Sequence, residues 1–438
     1  MDDLTYRGTA FAGFFIIALI AWATGGRNAI NKKTIGGSLC LAWGIGILTF
    51  WLPWTRSALE WINDILITTL QASQKGSIFL FGPLAVGPGQ ALPDGTQSIG
   101  FVLAMQVLPS VIFFSAVVSA LYYLGAMQAC VNGFARVFHK LMALSGAESL
   151  SASANIFVGI ESGLAIRPYL DRMSRSELLT LITCMMATVA STVMAVYVIA
   201  LQNVFPQIAG HLISASIISI PCAVLISKLT LPETEVPQTM GFVPNEPPDA
   251  GSLDHLQGGH PEKPSNLMVA LIEGGSQGVK LAIGIATLLI VVLGVEAVID
   301  LALKQIPIIA GEPVSMARIL GWLTWPFIIL LGLKPDEWQV GAQILGSRFI
   351  ETEVTAYFQL AALQSGSIPA FSLRSFTVLT YTLCGFVHIA SLGIFVGGLA
   401  AIAPSRAREI SLIGIRGLWT AFLATLLTGC IAGVLVQT

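Results

Sequence analysis

Charge is what this chain has least of: 22 basic and 24 acidic side chains in 438 residues, 11% of the total. Soluble domains carry roughly 25% charged residues. That excludes a water-soluble globule and points to a polytopic membrane protein, in line with a mean hydropathy of +0.79. A net charge of −2 offers no field for a nucleic acid. Cysteine is scarce too. Cys40, Cys130, Cys184, Cys222, Cys384 and Cys430 lie in or beside apolar runs without CxxC spacing, so they read as small core residues rather than disulfides or metal ligands. No HExxH stretch occurs, which leaves an intramembrane enzyme weakly supported. Met1-Asp-Asp lacks the cationic start of a signal peptide, so the first apolar run is expected to stay as a span.

Long apolar runs are what the chain has instead. A membrane helix needs about 20 apolar residues. Such runs extend from Thr9 to Thr24, Ile35 to Trp54, Ile99 to Leu124, Leu178 to Val204, Ile208 to Leu229, Leu281 to Leu303, Ser375 to Ala403 and Leu418 to Val436. Arg27, Lys32 and Lys33 put the first loop in the cytoplasm and the N-terminus outside. Residues 55–97 read as an outer segment, with Trp61 and Asp64 on an interfacial piece and Pro-Asp-Gly as a turn. Pro109 is expected to kink the third span. Met127 to Leu144, carrying Arg136, His139 and Lys140, suits an interfacial helix. So does Met316 to Leu333, which Pro326 is expected to interrupt. The one long polar stretch, Leu231 to Asn266, reads as a mobile cytoplasmic loop with His255 and His260 solvated.

Two further stretches are too short to cross twice. Ala147 to Leu170 contains Ser151-Ala-Ser-Ala-Asn155-Ile-Phe-Val158-Gly159-Ile-Glu161-Ser162. It sets a carboxylate and an amide at apolar depth, where an ionisable group is costly unless it meets water, a partner or a ligand. Trp338 to Leu363 carries Arg348, Glu351 and Glu353. Both read as re-entrant hairpins, tolerated only where protein or a water-filled cavity surrounds the tip. Three crossings separate them, so they enter from opposite faces. Spans three to five, with an interfacial helix and a hairpin, are matched by spans six to eight with theirs, which is the inverted-repeat plan of secondary transporters. The expected fold is all-α, with about eight transmembrane helices, two re-entrant hairpins and interfacial helices. Its divisions are N-terminal scaffold spans (1–97), a first repeat (98–229), a polar loop (230–278) and a second repeat (279–438). Span four also falters at Thr188-Val-Ala-Ser191-Thr192, as a broken helix would. On residues alone, Asn155 and Ser191 serve equally as helix-packing polar groups, and Glu353 as a buried partner for Arg348.

Asn155-Ile-Phe-Val-Gly159, Glu161, Arg167-Pro168, Thr352-Glu353, Ala356-Tyr357, Cys384-Gly-Phe386, Gly397-Gly398 and Ala403-Pro404 resemble the concentrative nucleoside transporter family over nearly the whole chain. Leu231-Pro-Glu-Thr-Glu and Arg27-Asn-Ala-Ile-Asn resemble its bacterial members. The resemblance implies a homotrimer in the bacterial plasma membrane. Each protomer works as an elevator that moves a nucleoside with Na⁺ or, in some members, H⁺, and holds no organic cofactor. It puts the sodium site on Asn155, the Val158 carbonyl, Ser191 and the Thr192 carbonyl, an oxygen shell suited to a hard cation. It puts substrate contacts on Glu161 and Ser162 in the first hairpin, Val196 on span four, Glu353 in the second hairpin, and Phe386, His388 and Ser391 on span seven. A carboxylate such as Glu353 accepts two hydrogen bonds from a vicinal diol. The chain departs from the pattern at the first hairpin, where the Gln and Thr that read a base edge are absent and one residue is missing. It departs again at His388 and Thr352, where Asn is usual. Base preference is therefore open, and His388 stands as a candidate donor or titrating group. A proton-coupled carrier using Glu161, Glu353 or His388, and a sensor that binds without translocating, are the alternatives.

Overall fold

The computed structural model describes residues 3–25, 30–87, 90–159, 162–243, 264–306, 313–366 and 369–437. Two helices open the chain, α1 (Asp3–Thr24) and α2 (Lys32–Trp51). Asn31 caps α2 by accepting from the amides of Lys33 and Thr34. Pro53 then starts α3 (Pro53–Phe81), which leaves Trp61 exposed. Asp94 accepts from the Thr96 amide at 2.9 Å and closes the expected Pro-Asp-Gly turn. The third span is broken into α4 (Leu103–Gln106) and α5 (Leu108–Tyr123) at Val107, just ahead of Pro109. The interfacial helix α6 (Ala126–Met142) buries Met127, Val131, Ala135, Phe138 and Met142, a stripe at three- and four-residue spacing.

The first hairpin follows as α7 (Gly146–Ala154), a break, α8 (Ser162–Ala165) and α9 (Arg167–Leu170). Nine residues make α7 about 14 Å long, half the depth of a bilayer core. Span four is α10 (Arg175–Ala187) and α11 (Ser191–Leu201), parted at Thr188-Val-Ala where the sequence falters. Span five is α12 (Ile208–Thr230). The polar stretch after it differs from expectation in its first third. Thr239 is buried, its carbonyl accepting from the Gly146 amide and its hydroxyl from the Ala147 amide. The start of α7 has amides with no helical acceptor, and this segment supplies them. Residues 244–263, with His255 and His260, lie outside the described residues.

The second repeat runs through α13 (Leu267–Leu303), α14 (Met316–Leu330), a hairpin of α15 (Trp338–Glu351) and α16 (Glu353–Gln364), a split span α17 (Leu373–Leu383) and α18 (Ile389–Ile402), and α19 (Ala407–Leu435). Pro326 does not interrupt α14, because neighbouring elements in a packed bundle re-satisfy what a proline frees. Among the described residues, seven spans are long and apolar enough to cross a membrane, and the divided α17–α18 makes the eighth. The inverted pairing is plain: α5 with α13, α6 with α14, hairpin with hairpin, α10–α11 with α17–α18, α12 with α19.

Packing sorts the spans into two groups. The apolar stretches of α12 and α19 are 89% and 83% buried while that of α13 is 11% buried. The centre is therefore α10, α12, α17 and α19, with α1 and α2 laid against it. Arg7 fixes α1 there by donating to the carbonyls of Val434 and Val436 at 3.0 and 2.7 Å. Apart from this body, α13 packs on α5 through Ala270, Gly274, Gly278 and Ala282. A Cβ on Gly274 or Gly278 would strike the α5 backbone at Ser115 or Ile112, so small residues every fourth position set the approach. Gly274-Gly275-Ser276-Gln277-Gly278 has the spacing of a nucleophile elbow. It lies inside an unbroken helix rather than a strand-to-helix turn, so it carries no such chemistry.

Candidate functional site

Helix breaks, rather than helix bodies, supply the polar groups at the centre of the bundle. Gly159 at the first hairpin break, Thr192 at the start of α11, Thr352 and Glu353 between the arms of the second hairpin, and Phe386, His388 and Ser391 at the split in span seven all line one cavity of about 130 Å³. Its remaining wall is apolar, including Val193, Leu281, Ile285 and Phe395. The starts of α11, α16 and α18 face this space, and the positive ends of helix dipoles stabilise a carboxylate there.

Glu353 is buried, 2% exposed, and each of its oxygens has a polar neighbour. The Tyr197 hydroxyl donates to Oε1 at 2.8 Å, and His388 Nε2 lies 3.0 Å from Oε2. The other imidazole nitrogen, Nδ1, accepts from the Ser391 amide at 3.1 Å, and the Ser391 hydroxyl accepts from the His388 amide at 3.3 Å. His388 and Ser391 thus form a reciprocal cap on α18. In the neutral ring, an Nδ1 that accepts leaves the proton on Nε2, the nitrogen nearest Glu353. Ser391 Oγ also donates to the carbonyls of His388, at 2.7 Å, and Phe386. Phe386 meets Phe395 with ring centroids 5.9 Å apart.

Arg348 is not the partner of Glu353. It is fully buried, donating to the Thr382 carbonyl at 2.5 Å and to Thr425 Oγ1 at 2.9 Å, where it caps the end of α17. Glu353 is left to the cavity.

The second cluster sits where the first hairpin meets the break in span four. Asn155 is wholly buried and its Oδ1 accepts from Ser162 Oγ at 2.8 Å. The Ser191 amide and hydroxyl both donate to the Phe157 carbonyl, at 2.9 and 2.5 Å. Asn155, Val158, Ser162, Ser191 and Thr192 thus gather around one junction, while Asn155 Nδ2 is buried without a partner among the described residues. Glu161 lies outside the described residues. Val196 is buried in α11 but does not line the cavity, where Val193, nearly one turn earlier, stands instead.

Tyr197 is the member of this cluster that the sequence did not single out. It packs on Tyr357 with ring centroids 4.7 Å apart. The signal was present, since a buried tyrosine hydroxyl in an apolar helix must find an acceptor.

Comparison with known proteins agrees with this architecture. Three family models match in order along the chain: Na⁺ dependent nucleoside transporter N-terminus over residues 12–84, nucleoside recognition (Gate) over 104–203, and Na⁺ dependent nucleoside transporter C-terminus over 211–433. An uncharacterized transporter of Haemophilus influenzae is 32% identical, covering 96% of this chain and 95% of that one. Nucleoside permease NupC of Helicobacter pylori is 30% identical, covering 97% and 96%. Rat sodium/nucleoside cotransporter 1 is 31% identical over 97% of this chain but 63% of its own length. Among solved structures, CNTnw in an inward-facing substrate-bound state superposes with a TM-score of 0.85 at 28% identity, covering 98% of this chain and 99% of that one. A CNTnw variant in an outward-facing state gives 0.86, covering 98% of each chain. With the matching order of its elements and the paired hairpins around one cavity, the chain belongs to the concentrative nucleoside transporter family.

Proposed function

We propose that this chain is a Na⁺-coupled symporter that imports nucleosides or close relatives across a bacterial plasma membrane, as a homotrimer whose protomers each work as an elevator. The observation that carries the reading is the carboxylate of Glu353, buried at the cavity both hairpin tips reach. Tyr197 donates to one oxygen, while Oε2, 3.0 Å from His388, has no hydrogen-bond partner among the described residues, so most of its roughly four acceptor positions are open. These suit the hydroxyls of a sugar, with Phe386 and the aliphatic wall receiving the base.

The junction at Asn155 is the proposed ion site. A buried amide nitrogen without an acceptor costs about 1–3 kcal/mol. Turning the amide over puts Oδ1 in that unpartnered position instead, and with the Ser191 hydroxyl and the carbonyls of the adjoining break it would offer oxygens suited to a hard cation. Amide orientation is an assignment, so the two poses describe one site. Na⁺ is favoured over H⁺ because the groups at this junction, an amide, hydroxyls and backbone carbonyls, suit a cation and carry no exchangeable charge.

Uptake by proteoliposomes under an inward Na⁺ gradient tests this, with gradient-dependent accumulation of a nucleoside as the expected result. Absence of accumulation across a nucleoside panel would reject the substrate. Accumulation driven by a pH gradient in Na⁺-free buffer would reject the ion.

A further inference from the structure

Thr352 is the only residue between the two arms of the second hairpin, and it is anomalous in two ways. Its backbone has φ +87° and ψ 161°, a region that a β-branched side chain enters only when its surroundings force it to. Its hydroxyl is buried, the residue 1% exposed, with no hydrogen-bond partner among the described residues. Both costs fall at one position, on the wall of the cavity beside Glu353. A buried hydroxyl without a partner is unfavourable until something supplies one, and strained backbone gathers where ligands are held.

Resting on the nucleoside reading, we propose that Thr352 is a substrate contact that determines specificity, its hydroxyl completing a hydrogen bond to a sugar hydroxyl beside the Glu353 carboxylate. The conformation of residue 352 is what makes this contact available. It lets α15 end at Glu351 and α16 begin at Glu353 with no intervening loop, so that residues 352 and 353 both line the cavity. Among the described residues, the polar groups of the cavity (Thr192, Thr352, Glu353, His388, Ser391) come from helix breaks, and the rest of its lining is apolar apart from backbone. A site so divided reads the sugar closely and the base loosely. An apolar wall rejects a polar isostere weakly, whereas a hydrogen-bonding group rejects an analogue that lacks its partner strongly. Uridine and adenosine are accordingly expected to bind within about tenfold of one another, the scale of a weakly discriminating apolar pocket.

The test is a binding titration of the full chain in detergent with uridine, adenosine and the 2′-deoxy, 3′-deoxy and 5′-deoxy forms of uridine. It uses the wild type, Thr352→Val, which keeps shape and branching, and Thr352→Ser, which keeps the hydroxyl. Thr352→Val should weaken uridine binding about tenfold and leave one of the deoxy analogues within about twofold of its wild-type affinity, while Thr352→Ser binds uridine as the wild type does. The proposal is overturned if Thr352→Val binds uridine normally. It is also overturned if the loss is the same for every analogue, or if Thr352→Ser loses as much as Thr352→Val. Wild type that binds no nucleoside would instead reject the nucleoside reading itself.

Discussion

Glu353→Gln separates what the carboxylate does for the fold from what it does for the substrate. The glutamine side chain still has an oxygen to accept from His388 Nε2, and its amide nitrogen then faces the Tyr197 hydroxyl, which accepts as readily as it donates. The fold should therefore survive. The charge does not, and hydrogen bonds to a charged group are worth about 1.5–3 kcal/mol against about 0.5–1.5 for neutral pairs. Two sugar hydroxyls on the carboxylate put the total loss at about 1–3 kcal/mol, or about 5- to 150-fold in affinity. A 2′,3′-dideoxynucleoside has no such hydroxyls, and its loss should stay within about threefold, under 1 kcal/mol. The assay is equilibrium binding of both compounds to wild type and variant in the same detergent and Na⁺ concentration, with thermal unfolding as the control for folding. Equal losses for the two compounds would refute the diol role.

Three other substitutions probe separate parts of the structure. Tyr197→Phe keeps the packing on Tyr357 but removes the donor to Glu353, and should weaken ribonucleoside binding about fivefold to thirtyfold, the equivalent of about 1–2 kcal/mol; unchanged affinity would take Tyr197 out of the site. Asn155→Ala should raise the Na⁺ concentration for half-maximal uptake about tenfold or more, on the scale of one lost ion–dipole contact, and an unaltered Na⁺ response would move the ion elsewhere. Lys228→Met should destabilise the packing of α12 against α7 and α10, where Nζ lies 2.5 Å from Glu148 Oε1 and donates to Ser176 at 2.9 Å. Leaving a buried carboxylate unpaired costs about 3–5 kcal/mol, and at roughly 2.1 cal/mol/K per residue that lowers Tm by about 3–5 °C. Adding Glu148→Leu should recover part of the loss, and a Tm within about 1 °C of wild type in the single variant would contradict the pairing.

Much of the architecture was legible because membrane depth converts length into topology. Ala147 to Leu170 is too short for two crossings, so a hairpin was the only arrangement open to it, and Thr188 to Thr192 marked the split in span four by its hydroxyls alone. Contacts distant in the chain left weaker traces. Thr239 reads as one more polar residue in a loop until the bare amides of Gly146 and Ala147 are set beside it. Tyr197 and Glu353 stand 156 positions apart, and only folding shows that one hydroxyl answers one carboxylate. Pro326 misled for a related reason, since a proline breaks a helix in water more readily than in a crowded bundle. The junction at Asn155 lay between these cases: its residue types were visible, but the pairing of Ser191 with the Phe157 carbonyl was not.

The seam between α5 and α13 leaves α13 gripped unequally. One face of α13 is buried at Ala270, Gly274, Gly278 and Ala282, while Met268, Ile272, Ile283, Ile290 and Val298 are exposed. Its far end is tied as well, since Glu296 is buried and Asp300 accepts from the Met316 amide at 2.7 Å. The helix is thus a post pinned toward both ends, and Leu281, Ile285 and Leu289, which wall the cavity, lie between the pins. A change in the width of the chamber would therefore come from the hairpin side rather than from this wall.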